Sequence, residues 1–125
     1  MSVQHGPLRD LSFLVVESSP HMRAAVDYIL KHAEKFADAR AQRVYLEEFR
    51  KSKKALLMQL NTAQPISAQE RDAYAHPEYL ELLEGLKIAV AIEEKLRWDL
   101  IAAQARIEIW RSEQANARAE IRNTQ

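Results

Sequence analysis

The residues able to move protons, hold metals or attack carbonyl carbon are few and poorly spaced for any of these tasks. The chain has four histidines, His5, His21, His32 and His76, and no cysteine. None of the histidines stands in a Glu-x-x-His pair, which a di-iron or di-manganese helix bundle needs, or in a His-Glu-x-x-His zinc motif. Without cysteine there are no thiolate metal sites, disulfides or thiol nucleophiles. No serine is framed by glycines, and neither a phosphate-cradling glycine loop nor a dinucleotide fingerprint occurs. Asp27, Asp38, Asp72 and Asp99 are scattered. Glu47-Glu48 and Glu93-Glu94 are adjacent pairs, but neighbouring helix residues point about 100° apart and cannot share a substrate atom. The expectation is a non-enzymatic chain with no cofactor, no metal and no small-molecule substrate.

Charge leaves one further chemistry, contact with phosphate. Lys plus Arg and Asp plus Glu are equal at 18 each, so no net charge draws the chain to nucleic acid or an anionic membrane. Locally the balance breaks. Over residues 40–54, Arg40, Arg43, Arg50, Lys51, Lys53 and Lys54 outnumber Glu47 and Glu48. Over residues 70–84, Glu70, Asp72, Glu78, Glu81 and Glu84 outnumber Arg71. Two readings stay open. The stretches neutralise one another across a helix pair, or Arg43, Arg50, Lys51, Lys53 and Lys54 contact DNA phosphates directly. A second basic set, Arg106, Arg111, Arg118 and Arg122, is interleaved with glutamates.

The elements that must position these residues are helical. Two glycines and four prolines in 125 residues leave few breaks, and the length suits one domain. Nothing resembles a signal peptide, and no apolar run approaches the roughly 18 residues of a membrane helix, so a cytoplasmic protein without membrane contact is expected. Residues 1–19 read as an N-terminal arm. Within it Leu11-Ser12-Phe13-Leu14-Val15-Val16 is strand-like and fits a docked arm, a short helix, or a strand completed by a second copy. Ser19 suits an N-cap and Pro20 the first helical position, starting a helix over about 20–61. Met22, Val26, Ile29, Ala33 and Phe36 mark its apolar face, with Val44, Phe49, Leu56 and Leu60 continuing it less regularly. A connector over 62–76 holds a capping box, Ser67 to Glu70, and a short helix over 68–75. His76 before Pro77 marks a break.

The third helix, about 77–121, is the most regular. Sevens counted from Tyr79 pass through Leu86, Glu93, Leu100, Ile107, Gln114 and Ile121. Counted from Leu82 they pass through Ala89, Leu96, Ala103, Trp110 and Ala117. Only Glu93 and Gln114 are polar, so Tyr79, Leu82, Leu86, Leu96, Leu100, Ile107 and Trp110 form a coiled-coil-like seam. Glu93 either pairs with Arg97 one turn on or fixes register, and Gly85 marks a close backbone approach or a tolerated helix glycine. The expected fold is all-α: a long antiparallel helical hairpin over 20–125. Leu83, Ile88, Val90, Ile92, Ile101 and Ile109 lie off the seam. Covering them points to self-association, two hairpins forming a four-helix bundle dimer, or to the N-terminal arm folded back over this second face. Trp98 also lies off the seam, packed on a second interface or exposed for a partner.

Two runs carry a resemblance. Ala73-Tyr74-Ala75-His76-Pro77-Glu78-Tyr79-Leu80 and Ala105-Arg106-Ile107-Glu108-Ile109-Trp110-Arg111-Ser112, with Glu93-Glu94-Lys95-Leu96-Arg97-Trp98 between them, resemble small, mostly uncharacterised helical proteins of tailed bacteriophages and prophages. The resemblance covers roughly residues 39–120. It implies an early-region setting near recombination and replication genes in a bacterial host cell, and it carries over no catalytic or binding residue. Three functions follow as expectations. The first is an accessory protein that oligomerises and docks onto phage recombination or replication proteins. The second is an inhibitor of a bacterial defence or regulatory protein, and the third a direct DNA binder.

Overall fold

The computed structural model describes residues 20–124. The arm, its apolar run at 11–16 and the expected Ser19 cap lie outside the described residues. Three α-helices follow in order, α1 (Pro20–Met58), α2 (Ile66–Ala75) and α3 (Pro77–Thr124), with a single 3-10 turn at Gln59–Asn61 closing α1. No strand occurs among the described residues, so the described chain is all-α.

Two compact units divide the chain, and α1 and α3 each contribute a segment to both. In the unit Glu34–Arg97, the end of α1 runs antiparallel to the start of α3, and α2 packs at their joined end. There Leu57, Ala73 and Tyr79 are buried, with Met58 and Leu83 packed on them. The Tyr74 ring meets the Tyr79 ring edge-on at 5.3 Å between centroids. In the other unit, the described residues 20–33 and 98–124 pair through Tyr28, whose hydroxyl donates to Asp99 Oδ2 at 3.2 Å. Ala25 and Ala103 are its buried residues.

The α3 seam positions from Tyr79 to Trp110 are all buried or half-buried, and Tyr79, Ala89, Glu93 and Ala103 are the buried residues of the helix. Gln114, Ala117 and Ile121 are exposed. The inward face of α1 differs from the expected stripe. Val26, Val44, Leu56 and Leu60 are exposed, as is Ala33. Met22, Ile29, Phe36 and Phe49 are half-buried as expected, and the buried and half-buried residues also include Ala25 and His32 in one unit, and Ala39, Arg43, Leu46, Arg50, Lys53 and Leu57 in the other. The run Met22, Ala25, Ile29, His32, Phe36, Ala39, Arg43, Leu46, Arg50, Lys53, Leu57 is the regular one. These alternate in steps of three and four, which is itself a heptad seam. Arg43, Arg50 and Lys53 are half-buried at seam positions, and an apolar count passes over them because they are charged.

The helix ends show a second departure. α2 begins at Ile66, after the extended Pro65, and no side chain caps it. The expected Ser67 capping box does not form: the helix starts already at Ile66, which puts Ser67 inside it, and Glu70 pairs with the Lys54 ammonium at 2.6 Å. The Gln69 side-chain amide instead donates to the Gln64 carbonyl at 2.8 Å. His76 ends one helix and starts the next. Its backbone N–H donates to the Ala73 carbonyl at 3.2 Å, and its own carbonyl accepts from the N–H groups of Tyr79 and Leu80. Its Nδ1 accepts from the Glu78 N–H at 3.0 Å, capping α3, while Pro77 fills the first helical position.

Candidate interaction surface

The basic cluster lies on α1 in the Glu34–Arg97 unit, and the structure sets acidic partners against most of it. Arg43 donates through Nε and Nη2 to the two carboxylate oxygens of Glu93, the Nη2 bond being 3.2 Å, and through Nη1 to Glu47 at 3.0 Å. Lys51 pairs with Glu48 at 3.1 Å, Lys53 with Glu78 at 2.7 Å, and Lys54 with Glu70. The neighbouring acidic stretch over 70–84 thus supplies two of these partners from α2 and α3.

Glu93 faces a different residue from the one expected. Arg97 pairs one turn back with Glu94 at 2.9 Å, and Glu93 is taken by Arg43 of the facing helix. This is a polar layer inside an apolar seam, and every buried side-chain nitrogen and oxygen among the described residues has a partner. The hydrogen bonds from Arg43 hold the Glu93 carboxyl below the ordinary range, against the opposing effect of burial. Lys53 does the same for Glu78. Glu70 and then Tyr74 hold the Lys54 ammonium above its ordinary value, and that ammonium sits 4.7 Å over the Tyr74 ring centre. A cleft of about 630 Å³ lies beside it, lined by Arg50, Lys51, Lys54, Met58, Tyr74 and Tyr79 among others.

The flanks of this unit's seam are unlike. On one side stand the ion pairs Arg43–Glu47, Arg97–Glu94 and Lys54–Glu70. On the other, Lys35, Asp38, Ala39 and Gln42 of α1 face Ala89, Ile92 and Leu96 of α3 across an open groove of about 430 Å³. Apolar atoms form nearly all of its wall. Ile92 is 52% exposed, and Ile88, one turn before it, 58%. Tyr45 and Phe49 stack in parallel at 5.8 Å further along α1.

No family model, curated protein sequence or solved structure matches the chain. Among the described residues no group of histidines and carboxylates could hold a metal ion, and no helix is long and apolar enough to cross a membrane. His32 lies on the inward face, its Nδ1–H donating to the Tyr28 carbonyl at 2.9 Å and its ring stacked on Tyr28 at 3.9 Å. In the unit of 20–33 and 98–124, Leu100, Ile107 and Trp110 are half-buried, and Trp98 is 58% exposed. A Cβ added at Gly85 would meet nothing within 4 Å, so Gly85 is a tolerated helix glycine and marks no close approach. The groove was not legible as a site beforehand. Ile88 and Ile92 stood out as off-seam, but Ala39 and Gln42 give no signal until α1 is placed against α3.

Proposed function

We propose that this chain is a non-enzymatic helical adaptor that self-associates and docks onto other proteins, its setting being a phage accessory role beside DNA recombination or replication proteins in the host cytoplasm. The observation that carries the adaptor reading is the distribution of apolar side chains. Large ones such as Ile88, Ile92, Trp98 and Ile109 are more than half exposed, while charged residues pair with one another. Scattered apolar residues are ordinary on a surface, but a groove with an apolar wall, here formed by Ala39, Ala89, Ile92 and Leu96, marks an interaction site. The phage setting rests on the likeness of the Tyr74–Tyr79 and Arg106–Ser112 runs alone.

Direct DNA binding has one supporting observation, the cleft where Arg50, Lys51 and Lys54 lie beside Tyr74 and Tyr79. Against it, Glu70 already holds Lys54, and the Tyr74 ring is covered by that ammonium and met by Tyr79. A base has little ring left to stack on. Fluorescence anisotropy of labelled single- and double-stranded oligonucleotides separates the two readings. The adaptor reading expects no binding at low or near-physiological salt. Tight binding that weakens steeply with salt, and is lost when Arg50, Lys51, Lys53 and Lys54 are replaced together with helicity intact, would overturn it in favour of DNA contact.

A further inference from the structure

We propose that the cleft beside Tyr74 binds a carboxylate, the aspartate or glutamate side chain of a docked protein whose neighbouring side chains are apolar. The inference deepens the adaptor reading and rests on it. It names a contact point and the chemistry of the partner segment that fills it.

Charge complementarity selects the occupant. Arg50, Lys51 and Lys54 line the cleft, and no carboxylate does. Lys54 lies four residues after Arg50 and three after Lys51, so the three share one face of α1. Two of these cations are already balanced, Lys51 by Glu48 and Lys54 by Glu70. Arg50 is half-buried and has no ion pair or side-chain hydrogen bond among the described residues. Glu47, one turn back on the same helix, is held by Arg43. The cleft therefore keeps one uncompensated positive charge, on a planar fork of N–H donors that matches the two oxygens of a carboxylate. A nucleic-acid strand fits less well. It brings a charge at every nucleotide, while the carboxylates of Glu48 and Glu70 stand at the two other cations.

The rest of the lining explains the apolar neighbours. Ala55 and Met58 continue the same face of α1, and the buried Tyr79 joins them. An apolar side chain next to the acid rests on these, and a methionine adapts to more than one shape. Lys51, Ala55 and Tyr74 are exposed. A small free acid in so open a cleft stays largely in water, whereas a protein brings its own surface to close it.

Titration of the full chain with the blocked peptide acetyl-Leu-Glu-Leu-amide tests this, the Arg50 Nε–H and Met58 methyl signals being followed by nuclear magnetic resonance. Both signals are expected to shift together and to saturate at millimolar peptide, as one short anchor allows. The counterpart acetyl-Leu-Gln-Leu-amide has the same shape without the charge and is expected to bind at least about tenfold more weakly. Arg50→Gln is expected to weaken the glutamate peptide about tenfold, with helicity unchanged by circular dichroism. Lys87→Gln, outside the cleft, is expected to leave binding as it was. If Arg50→Gln loses helicity, the comparison of the two peptides on wild type decides by itself. Equal binding of the two peptides, or no shift at Arg50 and Met58, overturns the site and leaves the adaptor reading to the apolar groove. Sodium acetate binding as tightly as the peptide overturns the protein partner in favour of a free acid. Oligonucleotide binding that is lost in Arg50→Gln overturns both this site and the adaptor reading.

Discussion

Arg43 and Glu93 show how a single pair places two helices. Each occupies a seam position where an apolar residue would ordinarily pack, and each supplies what the other needs, a planar donor fork against two carboxylate oxygens. A slip of either helix by one turn would leave both charges facing apolar neighbours, so the pair specifies register more than it adds stability. The acid response follows from its sign. The Glu93 carboxyl is held below its unfolded value of about 4.3, so its contribution is fully present above that pH and is lost as pH falls through the lower folded value. Glu78, held down by Lys53, adds to the same slope. Urea unfolding between pH 6 and pH 2 is expected to show this loss. Glu93→Gln, which has no proton to gain, is expected to be less stable than wild type at pH 7 and to show a shallower decline. Parallel curves for the two proteins would remove Glu93 from the acid response.

Elements meet at His76. Pro77 disfavours helical geometry at the preceding residue, and His76 accordingly sits extended, at φ −68° and ψ 137°. That one residue breaks α2 from α3 while its carbonyl and Nδ1 serve the first turn of α3. The break lets α2 turn back on α1, burying Ala73 and carrying Glu70 to Lys54. Helix α3 then runs 48 residues with a single interior glycine, Gly85. Because an added methyl there meets open space, Gly85→Ala loses no contact and removes the glycine's extra unfolded-state freedom. It is expected to raise unfolding stability by about 0.8–1.0 kcal/mol, read from urea midpoints at constant slope. A destabilised Gly85→Ala variant would show that the backbone at this position is approached by something else.

For the whole molecule, stability rests on seams of modest width. The buried residues are mainly alanines, and the larger seam side chains are half-buried. A charge placed in such a seam has neither depth to hide in nor a partner. Leu100→Asp, in the unit of 20–33 and 98–124, is expected to cost about 3 kcal/mol or more and to lower both helicity and particle mass. A fully helical, undiminished variant would mean that Leu100 does not face α1.

The all-helical class, the break at His76 and the α3 seam as far as Trp110 were legible in the sequence because each depends on near neighbours; beyond Trp110 the expected positions Gln114, Ala117 and Ile121 are exposed. A proline acts on the residue before it, and an apolar residue every seven positions returns to one helix face whatever lies opposite. The α1 seam was hidden because Arg43, Arg50 and Lys53 are half-buried in it while counting as charges. Glu70 could be read as a cap for Ser67, and Glu93 as a partner for Arg97, since local spacing allowed both. Tertiary structure decided otherwise: α2 starts at Ile66, which puts Ser67 inside it, and folding α2 and α3 onto α1 brought Lys54 to Glu70 and Arg43 to Glu93, while Arg97 pairs with Glu94. The apolar groove belongs to the same class of feature. Its walls come from two helices distant in sequence, so only their packing could bring Ala39 and Gln42 opposite Ala89 and Ile92.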